Sequence, residues 1–220
     1  MGRLLTYVAL AGLVTAGSLG LVLTRSVPAQ STNQVTSAIP DFDEVREDWQ
    51  LVVATPDLPG VGPQITTMMS PIGDNVPSFV AFNMNYRDAP FRPGGLQIQV
   101  WYNKSLTTQD SDKTSQLSNN NETITWTQRM ALQGGRLYYA VDNGQSSTWG
   151  KFGEGDQLDL DYATTTDTLS AYNPDKSAKT SGVTWQANNV TSMQITQVRY
   201  YKNGNVVYTD NTTRSVNLGQ

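Results

Sequence analysis

The 220-residue chain contains neither cysteine nor histidine. Without cysteine there is no disulfide, no thiolate nucleophile, no Cys-based zinc site and no iron–sulfur cluster. Without histidine there is no Ser-His-Asp triad, no Cys-His dyad, and no zinc or non-haem iron site built on imidazole. Any enzymatic chemistry falls to carboxylates, lysine, tyrosine or serine. Charged residues make up only 15% of the chain, with a formal net charge of −4. No basic patch stands out, which excludes a nucleic-acid surface or an anionic-membrane surface, since both need concentrated positive charge. Long amphipathic helices and internal repeats are missing as well. No cofactor and no metal site is expected.

One long hydrophobic run is present, at the N-terminus. Leu4 to Leu23 (LLTYVALAGLVTAGSLGLVL) carries no charge, lies between Arg3 and Arg25, and is followed by Val27-Pro28-Ala29-Gln30. This pattern predicts an export helix over residues 1–29. The small residues at Val27 and Ala29 suit signal-peptidase cleavage after Ala29, whereas the length of the run also fits an uncleaved anchor, the one route by which the protein would meet a membrane. Removing residues 1–29 takes away Arg3 and Arg25 and no acid, so the charge of −4 becomes −6. The chain is expected to be exported, facing the periplasm, the cell surface or the medium, and a disulfide-free exported domain of this size fits a bacterial source. Four Asn-x-Ser/Thr sequons begin at Asn103, Asn121, Asn189 and Asn211; they matter only in a host that glycosylates them.

Residues 30–48 read as a polar and then acidic tether, in which Asp41 to Asp48 fits one turn of helix and carries no EF-hand spacing. From Trp49 to Gln220 the chain reads as a single β domain. Ile124, Trp126, Met130 and Leu132 fall on one face at period two, and Thr123, Thr125, Thr127 and Arg129 on the other. Leu137, Tyr139 and Val141 resume the alternation after Gly134-Gly135, and Asp142-Asn143-Gly144 predicts a tight reversal. Further strands are expected at Trp49–Ala54, Gln64–Met69, Phe79–Tyr86, Leu96–Tyr102, Val183–Trp185 and Met193–Tyr201, with Asn203-Gly204 closing a hairpin. Lys104 to Asn121 is polar and reads as a long surface loop or a frayed hairpin, and Ala163 to Gly182 is polar with a turn at Asn173-Pro174-Asp175. About eight to ten short strands with frequent turns predict an all-β, two-sheet antiparallel β-sandwich of jelly-roll type, preceded by the export helix. Trp49, Trp126 and Trp185 are expected in its core, and Trp101 on an outer face.

The segment Ser192 to Lys202 (SMQITQVRYYK) resembles the closing strand of concanavalin A-like jelly rolls, laminin-G-like domains and family-16-type glycoside hydrolases among them. Leu137 to Gly153 is similar to their strand-turn-strand unit. The resemblance implies a curved jelly roll whose concave face, in relatives, often binds glycans. The hydrolases of that group carry Glu-x-Asp-x-Glu or a near variant on one strand. Here Asp159-Leu160-Asp161 supplies two acids and no third. Their strand spacing of ~6–7 Å at the backbone is compatible with a carboxylate pair of the retaining type.

The sequence therefore offers Trp101, Tyr138, Trp149, Asp159 and Asp161 as ligand-binding residues: flat rings beside carboxylates that pair with hydroxyls. The leading expectation is an exported non-catalytic module that binds a polysaccharide or a cell-surface protein. The alternative is a carbohydrate-active enzyme using Asp159 and Asp161. A pilin-like subunit fits poorly, because no acid precedes Asp41 and Pro28 interrupts the apolar helix.

Overall fold

The computed structural model describes residues 38–72, 78–86, 94–102 and 105–219. The expected export segment and residues 30–37 of the expected tether lie outside the described residues. The protein is an all-β sandwich of two antiparallel sheets, as the strand periodicity predicts.

The larger sheet is built on β1 (Glu44–Val53), which lies between β6 (Thr123–Gln133) and β11 (Val190–Lys202). Outward from β11 come β12 (Asn205–Asp210) and the short β13 (Arg214–Ser215). Outward from β6 comes β7 (Arg136–Ser146), which pairs with both β8 (Gly150–Phe152) and β9 (Asp159–Ala163). The smaller sheet runs in the order β10 (Gly182–Trp185), β2 (Gln64–Met69), β3 (Ser78–Tyr86), β4 (Gly94–Tyr102), β5 (Ser105–Asp110).

Alternation decides which side chains enter the space between the sheets. From β1 they are Val45, Trp49, Leu51 and Val53; from β6 Ile124, Trp126 and Met130; from β3 Val80, Phe82 and Met84. Trp126 is buried as expected. Its indole stacks on Trp49 of the neighbouring strand at 5.9 Å and meets the edge of Phe82 from the opposite sheet at 6.0 Å. The Asn203-Gly204 hairpin between β11 and β12 forms as read, with both residues at positive φ.

Four local expectations are corrected. The acidic stretch before Trp49 is strand, since β1 starts at Glu44. Asn143 and Gly144 do not reverse the chain: β7 continues to Ser146, and the pairing of Thr125 with Gln145 but Thr127 with Asp142 shows an extra residue absorbed as a bulge at Asn143, where φ is 54°. Asn173-Pro174-Asp175 opens a helix, α1 (Pro174–Thr180), whose Asn173 side chain accepts the backbone N–H groups of Asp175 and Lys176. Trp185 is 44% exposed and lies outside the core. The pairing of β10 with β2 slips between Val183 and Trp185, so the two residues that strict alternation puts on one face lie on opposite faces.

A polar row crosses the interior of the larger sheet. Glu47 and Gln128, cross-strand neighbours on β1 and β6, are both fully buried among the apolar residues. Glu47 accepts the Tyr172 hydroxyl at 2.6 Å and the Trp49 indole N–H at 2.9 Å, and Gln128 donates to the Tyr139 hydroxyl. Burial pushes the Glu47 carboxyl up to about 7, against the opposing effect of its hydrogen bonds with Tyr172, Ser177 and Trp49 and of the charge of Arg214.

Candidate functional site

On the outer face of the larger sheet, β9 is hydrogen-bonded to β7 with Asp161 opposite Tyr138, Leu160 opposite Tyr139 and Asp159 opposite Ala140. Tyr139 is buried and Leu160 packs against the core, so the alternate residues Tyr138, Asp159 and Asp161 point away from it. These three line an open cleft of about 520 Å³, with Glu44, Arg129 and Glu154 on the opposing wall. The small Ala131 and Ala140 side chains also line it, and small residues at these register positions leave room for it.

Each wall is held by ion pairs. Arg136 Nε bonds Asp161 at the rim, and that bond is the main reason the Arg136 guanidinium binds its proton more tightly than usual. Across the cleft, Glu44 accepts from Arg46 Nε at 2.6 Å and from Arg129 at 3.1 Å. Arg129 reaches on to Glu154 at 3.3 Å. Asp142, on the same face of β7, has its carboxyl raised first by partial burial and then by the charge of Glu154. The lining carries five carboxylates, Asp43, Glu44, Glu154, Asp159 and Asp161, against the single guanidinium of Arg129. Such a cleft disfavours anionic ligands and suits a neutral one rich in hydroxyls. Among the described residues no group of three or more acidic side chains is placed to hold a metal ion.

The structure brings Tyr138, Asp159 and Asp161 together and sets the other two predicted site residues apart from them. Trp101 lies on the outer face of the smaller sheet, stacked on Phe79 at 6.0 Å. Trp149 is buried, packs edge-on against Phe152 and donates its indole N–H to the Ser115 carbonyl at 2.7 Å. Sequence reasoning missed Glu44, Arg129 and Glu154. Glu44 and Glu154 reach Arg129 through pairings 85 and 25 residues apart, for which one sequence carries no local signal.

No family model matches the chain, and no curated protein matches it. Among solved structures the fold is similar to Scytalido-glutamic peptidase, crystallised with a peptide-based transition-state analogue, at 9% identity and a TM-score of 0.32 over 78% of this chain and 81% of that one. That protein is an enzyme. The expectation of a non-catalytic binding module finds no support in this comparison. A likeness of this size transfers neither activity nor site residues.

Proposed function

We propose that the protein is a carbohydrate-active enzyme that hydrolyses a neutral glycan in the cleft over the outer face of β7 and β9, using Asp159 and Asp161. The reading draws its substrate class from the concanavalin A-like resemblance of Ser192–Lys202 and Leu137–Gly153. The observation that carries it is the meeting of Tyr138, Asp159 and Asp161 in one cleft, with the two carboxylates on the same face of a single strand. Glycoside hydrolysis needs two carboxyl groups, one to protonate the leaving oxygen and one to attack the anomeric carbon or activate water. In this reading Asp161, which Arg136 holds, attacks, and Asp159 donates the proton. The Tyr138 ring, 39% exposed beside them, is a platform for a sugar face.

Reducing-end release from soluble β-glucans, galactans and xylans, with casein beside them, tests this. Asp159→Asn and Asp161→Asn are each expected to lower glycan turnover by ~100-fold or more, in line with loss of an acid or base. Turnover unchanged in both variants overturns the reading, as does cleavage of casein in place of every glycan.

A further inference from the structure

On the opposite outer face of the sandwich, the smaller sheet carries a second hollow of about 450 Å³ across β2, β3 and β4. Its floor is unusual for an outward face. Gln64 and Asn83 are each only 3% exposed, and the amide nitrogens of both, Gln64 Nε2 and Asn83 Nδ2, have no hydrogen-bond partner.

The neighbouring polar groups are already committed and hold this floor in place. Thr66 donates to Asn83 Oδ1 at 2.8 Å, which turns the Asn83 amide nitrogen away from Thr66. Along β4 a ladder of side chains runs from Trp101 Nε1 to Gln99 at 3.2 Å, from Gln99 to Gln97 at 2.7 Å, and from Gln97 to Asp110. Trp101 is thereby fixed as a platform, backed by Phe79 at an interplanar angle of 15°. Trp185, displaced to this face by the slip in β10, forms another part of the lining.

We infer that this hollow is a saccharide-binding site, separate from the cleft at β7 and β9, that takes a neutral hexose unit of a polysaccharide. The Trp101 ring meets the apolar face of the pyranose, beside the exposed Trp185 and an amide-lined floor that suits hydroxyls. Among the described residues none of the lining side chains is charged, so these offer a uronate or a phosphate no counter-ion. An extended peptide fits less well, because it binds by adding to a sheet edge, and this hollow lies over the middle strands of its sheet. The inference stands whether or not the other cleft is catalytic.

Affinity electrophoresis of the full chain through gels containing neutral β-glucan, mannan or xylan tests it, with polygalacturonate gels and titration of a soluble peptide as comparisons. Retardation by at least one neutral glycan is expected. Trp101→Ala should weaken it by ~tenfold or more, the scale of one lost stacking contact, in a variant whose thermal unfolding still lies above the assay temperature. Trp185→Ala, on the same lining, should weaken it likewise, and Leu58→Ala, exposed and outside both hollows, should bind as the parent does. No retardation by any neutral glycan, binding of polygalacturonate or peptide alone, or undiminished retardation of Trp101→Ala would each overturn the inference.

Discussion

Glu47 makes the protein less stable as the pH rises from acid to neutral. Its carboxyl is fully buried between the sheets and pushed up to about 7 from an ordinary 4.5. The folded state therefore holds a proton that the unfolded state has already released in this interval. Stability is fully present below about pH 4.5, declines as the pH rises, and levels off above about 7. At 1.36 kcal/mol for each tenfold change in proton affinity, the decline amounts to about 3 kcal/mol, a large share of the ~5–15 kcal/mol that holds a domain of this kind together. Glu47→Gln removes the proton. A glutamine keeps the size of the acid and carries no titrating proton. Urea unfolding of both proteins between pH 4.5 and 8 should give a falling stability for the parent and a nearly flat profile for the variant. Asp142 is raised by burial too, so Asp142→Asn serves as the control for any residual slope. Glu122 and Asp210 are lowered, and their contributions are lost only as the pH falls below their ordinary range. Equal slopes in the parent and Glu47→Gln would refute the reasoning.

Two further substitutions test the packing. Trp126→Ala removes a ring of the size that buries ~150–250 Å² and should cost ~3–5 kcal/mol by chemical denaturation, whereas Trp101→Ala, on an outer face, should cost much less; equal losses would show a misplaced register. Gly144→Ala sets a methyl carbon 2.2 Å from the Phe152 ring, which is itself buried, and should cost ~1–3 kcal/mol in the same assay.

What could be read from the sequence, and what could not, follows from how far each signal travels. Period-two alternation is local, and it correctly placed Trp126, Tyr138, Asp159 and Asp161 on their faces. It misplaced Trp185, because a single slipped residue in a four-residue edge strand reverses the register and leaves no compositional mark. The start of β1 escaped for a different reason. Glu47 occupies an interior position between Val45 and Trp49, and an acid there hides a strand whose pattern is otherwise regular. Gln128 interrupts β6 in the same way, but enough apolar neighbours surround it for the strand to show. Asn-Gly turned the chain at Asn203 and only bulged it at Asn143. The difference lies in whether the partner strand continues alongside, which is a long-range fact. The cleft was half legible: the acids of β9 and Tyr138 are close in sequence, and the Arg129-centred wall is not.

The two margins of the smaller sheet bear on how the protein behaves when crowded. An unpaired strand offers its main-chain groups to any other chain, and long flat apolar margins seed aggregates. At one margin β10 has only four residues and is thrown out of line at Thr184, so a second molecule finds no straight row of partners there. At the other, β5 presents Ser105, Thr107, Thr108 and Asp110 to solvent, with Leu106 as its one large apolar side chain. Threonine is a good strand former, so β5 remains a strand, yet it adds little apolar surface for a neighbour to cover. Neither of these two margins therefore offers a second copy a long, straight apolar row along which to polymerise.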